Sequence, residues 1–229
     1  MVKRENLDVS AYLVIGPENT CGRSVESVVY AAVMAGFTCV QVRSKTASAK
    51  ALIALLAKAQ EAIERAGAAS KVALLVNDRV DVAYAARCKG IAVDGVHVGQ
   101  SDVEPGVCRK LLGESAIVGL TAPEHNLVSF TQTANLACVD YLGVAPLHAT
   151  QTKAECGLEQ NGEYNTLKLS EIEQLHAKSP VPFVVGGGVT LHDVPALKQA
   201  GANGFFVVSA VCAAKNPQAA ASELVSSWK

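Results

Sequence analysis

The sequence has no long apolar run: none of its hydrophobic stretches approaches the roughly 18–20 residues that a helix needs to cross a bilayer. Met1 to Ser10 is polar and lacks the apolar core of a signal peptide, which points to a short arm and a cytoplasmic protein. An excess of charge of one sign is missing too. The formal net charge is -1, so the composition carries no electrostatic footprint for a nucleic acid or an anionic membrane surface. The seven cysteines (Cys21, Cys39, Cys88, Cys108, Cys138, Cys156 and Cys212) are scattered, odd in number and without a C-x-x-C pair. That pattern argues against a disulfide framework or a zinc site, and the thiols read as small apolar residues in a reduced compartment. Cys156, in a polar loop, stands apart. There is no internal repeat, low-complexity tract or linker, and no G-x-S-x-G, H-E-x-x-H, Walker A or G-x-G-x-x-G pattern. Tryptophan occurs once, at Trp228, where it is expected to pack against the core or a partner chain.

What is present is a regular alternation. Half of the 229 residues are hydrophobic, enough for one large core. Short β-branched runs at Tyr12–Ile15, Thr38–Val42, Val72–Val76, Gly95–Val98, Ala116–Gly119, Tyr141–Val144, Phe183–Val185 and Gly204–Val208 read as continuously buried strands. Helical patterns separate them. Val25, Val28, Val29, Ala32 and Val33 form a stripe opened by Ser24 and closed by Gly36, and Leu52 to Ile63 forms another before Gly67. Ser170 with Glu173 predicts a capping box, Thr190 with Asp193 a further helix start, and Asn216-Pro217 an N-cap with proline at the first helical position. The segments from Val80, Pro105 and Glu124 fill the remaining slots. Eight strand-then-helix units of this length predict a single-domain α/β (β/α)8 TIM barrel over residues 11–229, preceded by an arm at 1–10. A doubly wound open sheet is the alternative, because strand order is not visible in a sequence.

In such a barrel the chemistry lies on the loops after the strands. Strand two ends Gln41-Val-Arg43-Ser-Lys45, and period two places Gln41, Arg43 and Lys45 on one face. Cations facing a barrel interior need anionic partners, and a diphosphate would supply them. The plainer alternative is that the strand ends early and the charges are solvated on a loop. Asn77-Asp78-Arg79 follows strand three and Asp102 follows strand four. Two carboxylates on adjacent loops suit Mg²⁺ completed by phosphate oxygens and water, unless Asp78 only caps the next helix and pairs with Arg79. Thr150, Thr152 and Lys153 cluster after strand six. Gly186-Gly187-Gly188 follows strand seven and Ser209 follows strand eight, where barrels commonly bind a phosphate. His97 lies in an apolar strand end and reads as a hydrogen-bonded core residue as readily as a functional one. The other histidines have no metal-ligand spacing. A polar insert at Glu159–Asn165 has no assigned role.

These pieces, in order, resemble the thiamine-phosphate synthase family: Gln41-Val-Arg43-Ser-Lys45, Asn77-Asp78-Arg79-Val-Asp81, Asp94-Gly-Val-His97-Val-Gly-Gln100-Ser-Asp102, Thr150-Gln-Thr152-Lys153, Gly187-Gly188-Val189 and Val207-Val208-Ser209. The resemblance implies a Mg²⁺-dependent enzyme. It would join 4-amino-2-methyl-5-hydroxymethylpyrimidine diphosphate to 4-methyl-5-(2-phosphoethyl)thiazole, giving thiamine monophosphate and diphosphate by a dissociative displacement. On matching positions it implies that Gln41, Arg43, Lys45 and Asn77 hold the pyrimidine diphosphate and that Asp78 and Asp102 ligate Mg²⁺. Lys153 would meet the diphosphate, Thr150 and Thr152 would face the thiazole phosphate, and Gly188, Val208 and Ser209 would bind that phosphate. Arg43, Lys45, Lys153 and Thr121 would act on the departing diphosphate. Thr121 stands where the family usually has serine, Ala149 where it has proline, and Gly186 where it has an aliphatic residue. Rival expectations are a thiazole tautomerase, which uses a histidine near position 121 and lacks the strand-two triad, a sugar-phosphate isomerase or epimerase, and a non-catalytic binding paralogue. Two small-molecule substrates are the expected partners, with no nucleic acid or membrane. A homodimer is the default assembly for a soluble enzyme.

Overall fold

The computed structural model describes residues 1–149 and 165–229. Thr150, Thr152, Lys153, Cys156 and most of the Glu159–Asn165 insert lie outside the described residues. Among those described, eight parallel strands close into a barrel in sequence order: β1 (Ala11–Ile15), β2 (Cys39–Val42), β3 (Ala73–Asn77), β4 (Gly95–Val98), β5 (Ile117–Thr121), β6 (Tyr141–Val144), β7 (Phe183–Val185) and β8 (Gly204–Val207). The open-sheet alternative falls because β8 pairs back onto β1, with Tyr12 opposite Phe206. Each expected strand is found, with ends moved by a residue or two. No described helix is long and apolar enough to cross a membrane.

The helices sit where the apolar stripes place them. Helix α1 (Val25–Ala35) starts at Ser24, whose side chain accepts the Ser27 N–H, and stops at Gly36, whose φ of 106° is a left-handed cap. Helix α2 (Ala49–Arg65) is capped in the same way by Ser48. Helices α3 (Val80–Cys88), α4 (Pro105–Leu112) and α5 (Leu127–Thr133) follow β3, β4 and β5. Helix α6 (Leu169–Lys178) corrects the expected capping box. Its cap is at Lys168, where the Glu171 carboxylate takes the backbone N–H at 2.9 Å, and Ser170 lies inside the first turn. The Thr190–Asp193 pair is real, with the Thr190 N–H and hydroxyl both given to Asp193. It closes a turn, and helix α7 (Val194–Gln199) starts only after it. Helix α8 (Ser209–Cys212) takes Val208 as its cap, so the expected last residue of β8 belongs to the turn. Asn216 caps α9 (Pro217–Trp228) through the Ala219 N–H, with Pro217 at the first position, and Trp228 packs on Phe205 with ring centroids 5.5 Å apart.

Inside the barrel, period two alternates bulk with space. Tyr12, His97, Tyr141 and Phe206 are the large inward groups. Gly119 and Gly186 make room for them: a Cβ at Gly119 would coincide with the Tyr141 hydroxyl and His97 Nδ1, and one at Gly186 with the Phe206 ring. The floor is closed by the N-terminal arm, which proves less polar in its contacts than in its composition. Val2 and Val9 are buried in the interior cluster with Tyr12, Cys39, Ala73, Leu75 and Ile117. Buried charges tie that end together. Asp94, just before β4, accepts the Val2 N–H at 2.6 Å and the Leu74 N–H at 2.7 Å. Asp140, just before β6, pairs with Arg4 at 2.9 Å and with the buried Arg109 at 2.8 Å. Arg109 also gives hydrogen bonds to the carbonyls of Glu114, Ala116 and Cys138, so one guanidinium fastens α4 to the entries of β5 and β6.

Candidate active site

At the opposite end, where the strands finish, the barrel opens into a cavity of about 840 Å³, within the range of small-molecule sites. It is lined by Gln41, Arg43, Lys45, Asn77, Asp78, Asp102, Thr121, Gly188, Val208 and Ser209. Every candidate residue that falls among the described positions therefore faces one space, although they come from six different strand ends. Thr150, Thr152 and Lys153 lie outside the described residues.

The strand-two triad is built differently from the expectation. Strand β2 ends at Val42, so Gln41 belongs to the barrel interior whereas Arg43 and Lys45 lie on the following loop. The plainer alternative is right about where the strand ends, yet the two cations turn to the same cavity. One ladder bond continues past the strand end, from the Arg43 N–H to the Ile15 carbonyl at 2.7 Å, and fixes where the loop starts. Glu18, on the loop after β1, holds that loop from the other side by accepting from the hydroxyls of Ser44 and Thr46. Burial alone would push the Glu18 carboxyl up, but these bonds and nearby Arg43 hold it below the usual range. Nothing in the Pro17-Glu18-Asn19 sequence marks Glu18 as part of the site.

Asp78 follows β3 at a φ of 60°, a left-handed conformation that costs a non-glycine residue roughly 1–2 kcal/mol. Its N–H is given to the His97 carbonyl at 2.8 Å, which anchors the strained turn to β4. It does not pair with Arg79, which makes a two-pronged bond to Asp81 instead, at 2.8 and 2.6 Å. Asp102 accepts the Gly99 N–H at 2.7 Å. The Asp78 carboxyl is pushed up to about 6 by burial and then by the facing Asp102 carboxyl, while Arg43 pulls it down. Two carboxylates crowded at the edge of a cavity are a donor set that fits a hard divalent cation with its other ligands drawn from phosphate oxygens and water. Among the described residues no cluster of three or more His, Cys, Asp or Glu side chains forms a self-sufficient metal site.

Across the cavity, Gly187 and Gly188 adopt φ of 78° and 76°. A Cβ at Gly188 would sit 2.8 Å from the Cβ of His148, so the run needs glycine for both conformation and space. The Gly187 carbonyl accepts the His148 N–H at 2.9 Å, and the His148 ring meets Asp193 at 2.9 Å. The loop after β6 is thereby tied to the loop after β7. Val208 and Ser209 lie at the start of α8 beside it.

Sequence reasoning missed the floor. Tyr12, Tyr141 and Phe206 read as strand aromatics, but the two tyrosine hydroxyls lie 2.7 Å apart and link Gln41 to His97. His97 is the hydrogen-bonded core histidine that its apolar setting allowed for, with Nε2 2.9 Å from the Thr121 hydroxyl. The one available signal was the alternation of tyrosine and glycine at inward positions of β1, β5 and β6.

The family model for thiamine monophosphate synthase matches residues 11–211. A thiamine-phosphate synthase of Corynebacterium jeikeium is 38% identical over 225 residues, covering 97% of this chain and 96% of its own. That of Azorhizobium caulinodans is 37% identical over 219 residues, covering 95% and 93%. Among solved structures, thiamine phosphate pyrophosphorylase from Pyrococcus furiosus superposes with a TM-score of 0.76 at 21% identity, over 98% of this chain and 97% of that one. 3-Hexulose-6-phosphate synthase superposes at 0.65 with 18% identity. At those identities the two structures speak for the barrel fold, and the sequence matches speak for the family. With the family model spanning most of its length and relatives this similar end to end, the chain belongs to the thiamine monophosphate synthase family.

Proposed function

We propose that this chain is a thiamine-phosphate synthase, coupling 4-amino-2-methyl-5-hydroxymethylpyrimidine diphosphate to 4-methyl-5-(2-phosphoethyl)thiazole with Mg²⁺. The observation that carries the proposal is convergence: cations, paired carboxylates, a hydroxyl and a glycine turn reach a single cavity from separate strand ends. Gln41 and Asn77 take the aminopyrimidine, and Arg43, Lys45 and Thr121 the diphosphate. Gly188, Val208 and Ser209 take the thiazole phosphate, at the loops where barrels favour that group. Thr150, Thr152 and Lys153 belong to the same assignment by resemblance alone. Mg²⁺, held by Asp78 and Asp102, supplies counter-charge for the diphosphate when bound.

In the reaction the bond from the pyrimidine methylene carbon to the diphosphate oxygen breaks, and its electron pair leaves with the diphosphate. The electron-rich aminopyrimidine bears the positive charge left on the methylene. Arg43, Lys45 and the Thr121 hydroxyl stabilise the charge that grows on the leaving group, a preorganised arrangement that costs no rearrangement at the moment of reaction. The thiazole nitrogen lone pair then forms the new carbon–nitrogen bond. No proton has to be removed, so the cations and hydroxyls that line the cavity can serve as charge stabilisers without a general base. Val14, Val184 and Phe206 form the apolar part of the lining, beside which the methylene would be less open to water.

The test is turnover with both substrates, with Mg²⁺ or with EDTA, reading thiamine monophosphate as fluorescent thiochrome phosphate. Product that depends on Mg²⁺ is expected. Folded protein that makes none overturns the proposal.

A further inference from the structure

Five side chains form an unbroken hydrogen-bond chain across the floor of the cavity. Gln41 Nε2 gives a hydrogen bond to the Tyr12 hydroxyl at 2.5 Å, and the Tyr12 and Tyr141 hydroxyls are 2.7 Å apart. The Tyr141 hydroxyl lies 2.8 Å from His97 Nδ1, and His97 Nε2 lies 2.9 Å from Thr121 Oγ1. Tyr12, Gln41, His97 and Tyr141 are buried, and the ends of the chain stand on β2 and β5. The fit is tight: a Cβ on Gly143 would lie 2.9 Å from His97 Cε1.

Such a chain has a direction. A phenol has one proton to give, and a neutral imidazole has one N–H and one lone pair. An amide nitrogen can only donate, so Gln41 feeds Tyr12 and Tyr12 must give its own proton onward. The Cys39 thiol beside it is a weak acceptor, and the Tyr141 oxygen is the better one. Tyr141 then gives to His97 Nδ1, His97 gives from Nε2 to the Thr121 oxygen, and the Thr121 proton is left for the cavity. At the other end, one Gln41 N–H is given to Tyr12, and the Gln41 carbonyl is left to accept from a ligand. Burial pushes both tyrosines well above their ordinary range, so both keep the protons that the chain needs.

We propose that this chain is polarised from Gln41 to Thr121 and sets the hydrogen-bonding character of both ends of the site, an acceptor for an amino-bearing heterocycle at Gln41 and a donor for an oxyanion at Thr121. Tyr12, Tyr141 and His97 are positioning residues that act through those two. The identity of the two ligands rests on the proposed synthase function; the direction of the chain does not. Reversed, the chain would turn an oxygen lone pair of Thr121 toward the anion and the amide nitrogen of Gln41 toward the amino group, repelling both.

The direct test is long-range proton–nitrogen NMR of the full chain with ring-labelled histidine at pH 7.5. The His97 signals are identified by their loss in His97→Gln. The expected result is a proton on Nε2 and a bare, hydrogen-bonded Nδ1, with the Nδ1 resonance moving in Tyr141→Phe once its donor is gone. A proton on Nδ1, an imidazolium, or an Nδ1 signal indifferent to Tyr141→Phe overturns the proposal. Tyr12→Phe, one link further back, serves if Tyr141→Phe does not fold. The kinetic arm expects Tyr141→Phe to lower kcat about tenfold, the scale of one hydrogen bond. The KM for the pyrimidine diphosphate should rise, while that for the thiazole phosphate stays within about twofold. Equal damage to both KM values marks a merely structural role and overturns the proposal. Wild type that makes no product but has His97 protonated on Nε2 refutes the synthase function and leaves the chain standing. Active wild type with the proton on Nδ1 does the reverse.

Discussion

Replacing Thr121 by valine tests the site most sharply, because valine keeps the shape and removes only the hydroxyl. The hydroxyl lies 2.9 Å from His97 Nε2, and the Thr121 carbonyl accepts from Gln100 at 2.6 Å, so the strand end itself should not move. Two effects follow. His97 Nε2 loses this hydrogen bond, which removes about 0.5–1.5 kcal/mol of stability. A hydrogen bond to a charged diphosphate contributes about 1.5–3 kcal/mol, which corresponds to a fall in kcat/KM of roughly 10- to 150-fold. Thr121→Ser restores a hydroxyl at the same place and should recover activity to within about threefold, since the bond is re-formed. Urea unfolding and steady-state turnover of the two variants, side by side, give both numbers. A valine variant that is folded and within about threefold of wild type would mean that the hydroxyl makes no bond to the leaving group.

The floor of the barrel carries two further predictions. Arg109→Met takes the donor from three carbonyls and one of its two arginines from Asp140, which keeps Arg4 and the Val118 N–H, and should remove about 1–3 kcal/mol of unfolding free energy in urea; a loss under about 0.5 kcal/mol would refute the buried clamp. Asp94 titrates near 6 in the folded chain against 3.8 ordinarily, because burial outweighs the backbone hydrogen bonds it accepts. The folded state therefore holds this proton more tightly, and its contribution to stability grows as pH falls through about 6 and is complete below 3.8. Wild type should gain about 1.4 kcal/mol of stability relative to Asp94→Asn between pH 8 and pH 5, and a relative loss contradicts the assignment.

The barrel was legible in the sequence because its strands are buried on both sides. Runs such as Phe183–Val185 and Tyr141–Val144 need no partner to be recognised, and the caps at Ser24 and Asn216 are local chemistry. The capping box at Ser170 was misplaced by two residues because the Leu169–Leu175 stripe fits more than one register, and only packing decides between them. The end of β2 was set by the sheet: Arg43 makes a strand-like bond to Ile15 but lies on a loop. That Arg43, Lys45, Asp78 and Asp102 line one cavity was legible because charges at strand ends are costly without a reason. The tyrosine–histidine chain was not legible, since its links join β1, β4, β5 and β6, and no spacing along a sequence encodes which inward side chains meet across a closed barrel.

Gly186 and Phe206 face each other across β7 and β8, with the ring occupying the space that a side chain at 186 would need, and tilted against Tyr12 at a centroid distance of 6.4 Å. The consequence is historical. The two positions do not change independently: while the ring stays where it is, a side chain at 186 has no room, and it can return only if the ring moves or goes. A route on which the ring goes first passes through a form with both groups absent, whose empty volume weakens the barrel. Lineages should therefore tend to inherit the two residues together, and a library that varies position 186 alone displaces a ring it leaves untouched.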